Sequence, residues 1–272
     1  MNNSALLRFR ENLSAWCIPP QLTDEIMERH IAVSYAKGAM VFSEGSTADL
    51  FACVLSGYVK VYCPAGDGCR TLMRLAGPGE LIGYADYLDS RGQKERLFEA
   101  QALSKCNVAL VTRDHVGRLL RNLETETLVE MMESLNTFWS LNIRWFATLI
   151  GLPFSERLEV VLSDLGSRLG AADNRGVMLI PEISHEDLAE MIGCSRPMIS
   201  RLIGEMVEAG LIARGRKQYI LLNKWESRGL TQPAGRRLTA DGPHPSADAP
   251  RRNLRVVAAP SRTARLNPRQ SA

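Results

Sequence analysis

Ile183-Ser184-His185-Glu186-Asp187-Leu188-Ala189-Glu190-Met191-Ile192-Gly193-Cys194-Ser195-Arg196-Pro197-Met198-Ile199-Ser200-Arg201-Leu202-Ile203 spells two short helices joined by a tight turn. Ser184 can cap the first helix, and Asp187 three residues on completes a capping box. Leu188, Met191 and Ile192 follow at helical spacing. Gly193 supplies the turn. Ser195 can cap the second helix, whose first turn tolerates Pro197 because the N–H it lacks has no intrahelical partner there. Ile199, Leu202, Ile203 and Met206 form one apolar stripe, and Arg196 and Arg201 fall off it. This is the layout of a helix-turn-helix that places its second helix in the DNA major groove.

Any helical hairpin buries one stripe and solvates the other, so two arginines on a polar face also fit an ordinary hairpin. Three neighbours favour the DNA reading. Gly210-Leu211-Ile212 ends the second helix with a helix-stop glycine and an apolar pair. Arg214-Gly215-Arg216-Lys217 makes a basic hairpin tip, and Tyr219-Ile220-Leu221-Leu222 returns as a strand. A helix-turn-helix followed by a basic hairpin is a winged helix, whose wing can touch phosphates.

The run from Ser184 to Leu222 resembles the DNA-binding domain of the Crp/Fnr family of bacterial transcription regulators. The motif Gly193-Cys194-Ser195-Arg196 with Ser200-Arg201 carries the likeness. Upstream, Lys37-Gly38-Ala39-Met40-Val41-Phe42-Ser43-Glu44-Gly45 and Leu55-Ser56-Gly57-Tyr58-Val59-Lys60-Val61-Tyr62 resemble the β-roll of that family's effector domain. The likeness covers roughly residues 20–224, in the family's domain order. It implies an α+β protein: an N-terminal double-stranded, jelly-roll-like β-roll, a long dimerisation helix and a C-terminal winged helix-turn-helix. The expected divisions are 1–123 for an N-terminal helix and the roll, 124–151 for the long helix, 152–226 for the winged helix, and 227–272 for a tail.

Composition agrees. The chain has 272 residues, 45% of them hydrophobic, enough for two domains with buried cores. No apolar run reaches the roughly 18 residues of a membrane span, and Met1 is followed by Asn and Ser, so a cytoplasmic protein without a membrane partner is expected. Six cysteines at 17, 53, 63, 69, 106 and 194 form no CxxC pair and are expected to be reduced thiols. The net charge of +3 hides an asymmetry. From Ser227 to Ala272, nine arginines against two aspartates give +7, leaving −4 on the remainder. That tail is rich in Pro, Ala, Arg and Ser without periodicity and is expected to be disordered. It is either a solvated extension or a basic arm adding salt-dependent DNA affinity.

From about His30 to Thr112, short β-rich runs are punctuated by glycines, which suits a sandwich or barrel. Asp114 can cap a short helix through Leu120. Thr125 to Ile150 is a long helical pattern with an apolar heptad: Leu128, Leu135, Asn142 and Leu149 at one position, Met131, Phe138 and Trp145 at the other. A lone Asn in such a seam suits a homodimer, because paired amides fix the register. Trp139 and Phe146 flank the seam and leave open a helix packed only on its own domain. A dimer would read a palindromic site with two recognition helices.

The resemblance also implies site residues. In cAMP-binding members a Gly-Glu pair, an Arg-Ser/Thr-Ala triplet and a residue on the long helix form the pocket. Here the matching positions are Gly79, Glu80, Arg96 and Asn142, with Leu97 and Phe98 following the arginine and Ile143 following Asn142. Bulky apolar groups replace the hydroxyl and the small Ala, and the segment between Glu80 and Arg96 is longer than in cAMP binders. A cyclic nucleotide is therefore disfavoured as cofactor, and Arg96 and Glu80 are read first as structural or surface charge. Cys17 stands alone where oxygen-sensing members hold an iron–sulfur cluster. No metal site is expected. A thiol switch at Cys53, Cys63, Cys69 or Cys106 stays open.

By resemblance, Arg196 and Arg201 reach base edges, where an arginine fork suits guanine O6 and N7. Pro197 stands where the cAMP receptor protein has a glutamate, so the half-site should differ. Ser195, Ser200 and Lys217 are expected phosphate contacts. No P-loop, catalytic triad spacing, strand-linked GxGxxG or metal cluster points to an enzyme. The expectation is a homodimeric DNA-binding regulator, partnered by double-stranded DNA and RNA polymerase. Its effector would be other than cAMP. The alternatives are a cyclic-nucleotide-gated regulator or an effector-independent one.

Overall fold

Phe51, Ala52, Cys53, Val54 and Leu55 are all buried. Successive residues of a strand point to opposite faces, so a strand of this kind has to be covered on both sides. In the computed structural model, which describes residues 3–14, 18, 20–66, 69–84, 95–215 and 218–228, that is what surrounds it. The strands of the first half are β1 (Ile31–Tyr35), β2 (Met40–Phe42), β3 (Leu50–Ser56), β4 (Val59–Gly66), β5 (Cys69–Ala76), β6 (Leu81–Ile82), β7 (Glu99–Ala102) and β8 (Cys106–Thr112). They form two antiparallel four-stranded sheets, ordered β1-β8-β3-β6 and β2-β7-β4-β5. Ala52, Val54, Val108 and Leu110 from one sheet meet Phe42, Val59, Ala76, Ala100 and Ala102 from the other, closing the roll.

The opposite face of β3, with Phe51, Cys53 and Leu55, is covered by helices α1 (Asn3–Ser14) and α2 (Pro20–Glu28) through Phe9, Leu13, Leu22 and Ile26. A short helix α3 (Arg113–Arg121) follows β8. Its N-cap is Thr112, whose hydroxyl accepts from the His115 N–H at 3.3 Å. Asp114, expected as the cap, lies instead in the first turn, where its charge still complements the helix dipole.

The long helix α4 (Thr125–Gly151) leads into α5 (Phe154–Leu169), β9 (Gly170–Asp173), β10 (Gly176–Leu179), α6 (His185–Ile192), α7 (Arg196–Glu208), β11 (Ile212–Arg214) and β12 (Tyr219–Leu222). The last four strands form a sheet ordered β11-β12-β10-β9. Leu158, Leu162 and Leu165 of α5, Leu188 of α6 and Ile199 and Ile203 of α7 are buried together. The same core takes in Tyr62, Leu72 and Leu75 from the outer face of the β4–β5 sheet, and Trp145 and Leu149 from α4. The winged helix is thus seated on the roll through shared apolar contact. Among the described residues no helix is long and apolar enough to cross a membrane. Most of the basic tail, from residue 229, lies outside the described residues.

Candidate nucleic-acid interface and effector region

The helix-turn-helix is built by the local chemistry read from its residues. Ser184 Oγ accepts from the Asp187 N–H at 3.1 Å, and the Asp187 Oδ2 accepts from the Ser184 N–H at 3.0 Å, so the capping box is formed. Gly193 closes α6 in the left-handed region, φ 72°, which a side chain would strain. Ser195 caps α7, with Pro197 in its first turn. Ile199, Leu202, Ile203 and Met206 are buried, whereas Ser195, Arg196, Pro197, Ser200 and Arg201 are exposed on the opposite face. The expected DNA-reading residues thus share one solvent face of one helix, with Lys217 lying outside the described residues. Cys194 is half-buried beside the core at the turn.

Asp187 also bonds outward. Its Oδ1 is ion-paired with Lys60 of β4, while its Oδ2 serves the cap. The carboxylate holding the start of α6 therefore also holds that helix to the roll. Burial pushes the Lys60 ammonium down, but Asp187 more than reverses this and raises it.

In the effector region, Glu80 and Arg96 are each engaged by other residues of the protein. Gly79, φ +86°, sits where a Cβ would lie 2.2 Å from the Arg8 Cβ, so the turn before Glu80 requires glycine. Glu80 accepts from the Gly77 N–H at 2.9 Å and from Arg168 Nη1 of α5 at 2.7 Å, with Arg74 at 3.8 Å. Arg168 is also held by Asp164 at 3.0 Å and by the Leu75 carbonyl at 3.1 Å. Burial alone would raise the Glu80 carboxyl; Arg168, Arg74 and the Gly77 N–H overcome it and hold it below the ordinary carboxylate range.

Arg96 is almost fully buried. Its guanidinium lies 3.8 Å over the Phe42 ring and donates to the Gly83 and Leu50 carbonyls. Both charges have partners within the protein. They face different partners: Glu80 faces the winged helix and Arg96 the interior of the roll. Asn142 is half-buried on α4. Arg168, which the sequence reading missed, carries no motif that would have flagged it.

Burial raises the thiols of Cys53, Cys63, Cys106 and Cys194 above their ordinary value, which disfavours thiolate chemistry there. The side chains of Cys17 and Cys69 lie outside the described residues. His115 is buried, with its Nε2 3.1 Å from the Glu25 carbonyl. Among the described residues no group of three or more His, Cys, Asp or Glu is placed to hold a metal ion.

On α4 the expected seam turns inward in part. Met131, Trp145 and Leu149 are buried in the chain's own cores, and Leu128, Leu135 and Asn142 are half-buried. The side chain of Phe138 lies outside the described residues. The large apolar groups exposed on this helix are Val129, Met132, Trp139, Ile143 and Ile150. They keep the same heptad one residue further along, with Asn136 exposed at the intervening position.

The family described as Cyclic nucleotide-binding domain matches residues 32–122, and the Crp-like helix-turn-helix domain matches residues 156–238. The CRP-like cAMP-activated global transcriptional regulator of Mycobacterium tuberculosis is 22% identical over 189 residues, 70% of this chain and 83% of that protein. The nitrogen fixation regulation protein FixK of Rhizobium meliloti is 25% identical over 184 residues, 67% and 78% of the two chains. Among solved structures, FixK2 from Bradyrhizobium japonicum superposes with a TM-score of 0.63 at 21% identity, covering 74% of this chain and 96% of that one. The c-di-GMP-responsive regulator CLP of Xanthomonas campestris gives 0.60 at 20% identity, covering 75% and 99%. With a cyclic nucleotide-binding-type roll followed by a Crp-like helix-turn-helix, the chain belongs to the Crp/Fnr family of transcription regulators.

Proposed function

We propose that this protein is a homodimeric regulator that binds a palindromic DNA site and answers to an effector other than cAMP. The observation that carries the DNA reading is the exposure of Arg196, Ser200 and Arg201 on one face of α7, opposite a fully packed stripe. Arg196 and Arg201 would read guanine edges, and Ser195, Ser200 and Lys217 would hold phosphates. The exposed heptad of α4 is the proposed dimer seam, centred on Trp139 and Ile143, with paired Asn136 amides fixing its register. We place the dimer in the cytoplasm, where a DNA-bound regulator would meet RNA polymerase.

Two observations support an effector other than cAMP. Arg96 already donates to main-chain carbonyls beneath the roll surface. Glu80 is already paired with Arg168. A cyclic nucleotide using both would have to break buried contacts. Gating by a cyclic nucleotide is the second reading, favoured by the retained Gly79-Glu80 pair.

Selection from a random DNA pool with ligand-free protein tests the proposal. A two-fold symmetric motif with half-site centres about 10–10.5 base pairs apart, or a multiple of that, is expected. Bulk, salt-sensitive binding without a motif, whether or not a cyclic nucleotide is added, would refute site-specific reading by α7. A motif that emerges only when a cyclic nucleotide is added would establish the second reading instead.

A further inference from the structure

His185 does more than begin α6. Its Nδ1 lies 2.8 Å from the Ser200 Oγ on α7. Its Nε2 meets the guanidinium of Arg214, the last residue of β11. Its ring lies near-parallel to Tyr219 of β12, 18° apart in plane and 6.4 Å between centroids. One imidazole therefore joins the recognition helix to both strands of the wing.

The hydrogen positions follow from charge. A guanidinium offers only donors, so Nε2 must be the lone-pair nitrogen and the ring proton must sit on Nδ1. Nδ1–H then donates to Ser200 Oγ, which keeps its own hydroxyl proton for another acceptor. Ser200, Arg196 and Arg214 are all exposed. Three donors around one ring suit an anionic oxygen, and a DNA backbone supplies such oxygens along its length.

We propose that His185 is a positioning residue for DNA binding: its neutral form ties the wing to the recognition helix and turns the Ser200 hydroxyl toward a backbone phosphate. This rests on the DNA-binding reading above. Protonation would undo the arrangement, because an imidazolium cannot accept from Arg214. The charged groups around the ring are Arg196 from α7 and Arg214 from β11, with Glu186 next along α6; Tyr219 faces it from β12. Burial lowers the pKa of His185, and Arg214 and Arg196 lower it further, so the neutral form holds at pH 7.

The test uses the full chain and a duplex that the wild type selects from a random pool. Binding is followed by fluorescence anisotropy over a salt series and a pH series, and melting curves establish that each variant folds. His185→Leu and Ser200→Ala should each weaken binding about tenfold, and the double variant no more than either, because they act as one unit. The salt slope should stay at its wild-type value in Ser200→Ala, because a neutral hydroxyl displaces no counterion from the backbone. His185→Gln, whose carboxamide offers one donor and one acceptor, should recover most of the affinity. Relative to His185→Gln, wild-type binding should weaken as the pH falls from about 7 to about 5. Should His185→Leu melt early, the Ser200→Ala affinity and the His185→Gln pH profile still decide. Wild-type affinity and pH profile in His185→Leu, or losses that simply add in the double variant, would overturn the role of His185. If the wild type selects no duplex, with or without added cyclic nucleotide, the DNA reading itself falls.

Discussion

Arg168→Met would remove a guanidinium that holds two carboxylates and a carbonyl at once. Its partners are Glu80 at 2.7 Å, Asp164 at 3.0 Å and the Leu75 carbonyl at 3.1 Å. A methionine keeps most of the packing volume but leaves Asp164, with 4% of its side chain exposed, without that partner, and leaves Glu80 with Arg74 at 3.8 Å. Removing one member of a buried ion pair costs about 3–5 kcal/mol. Arg168 and Glu80 retain 12% and 21% exposure, and water screens them in part, so the lower end applies, about 3 kcal/mol. At about 2–4 °C per kcal/mol for a chain of this size, the melting temperature should fall by about 6–12 °C.

The pH dependence carries a sign. The folded-state pKa of Glu80 lies below its ordinary value. Its contribution is therefore full above the unfolded carboxylate range and is lost as the pH falls through the depressed folded value. In Arg168→Met the main group holding the Glu80 carboxyl down is gone while burial still pushes it up, so acid relieves the variant while it weakens the wild type. The stability gap should be widest near neutrality and narrow as the pH falls through about 4. Adding Glu80→Gln should recover part of the loss by removing one stranded charge. Calorimetric melts of the wild type and the two variants between neutral and acid pH decide it. A fall of less than about 2 °C at neutral pH, or a gap that widens in acid, would refute the reasoning.

Two further outcomes are expected. Arg196→Ala should cost about 1–3 kcal/mol of DNA affinity and relax preference at one base pair, measured by repeating the selection with the variant; an unchanged motif would remove Arg196 from base reading. Ile143→Glu, at a position 65% exposed, should give a folded monomer in sedimentation with a melting curve close to wild type, whereas Leu149→Glu, at 8% exposure, should destabilise the chain itself. A persistent Ile143→Glu dimer would move the seam elsewhere.

The helix-turn-helix was legible from its residues because its determinants are local. A capping box spans Ser184 to Asp187, a turn needs only Gly193, and an apolar stripe recurs within one helix. The strands of the roll were legible as β-rich runs between glycines, and the return strand after the wing for the same reason. What the sequence by itself determined was therefore the kind and order of elements, and with the family likeness the class of the protein. Tertiary structure alone decided how those elements face one another. The heptad on α4 repeats at two adjacent settings, and a periodicity cannot say which of two neighbouring apolar stripes meets the chain's own core. Packing of Trp145 and Leu149 against the winged-helix core left the stripe of Trp139 and Ile143 outside. Glu80 likewise gave no hint that its partner is Arg168, 88 residues away, nor Asp187 that it would reach Lys60, because such charges meet only after two separately folded surfaces close on each other.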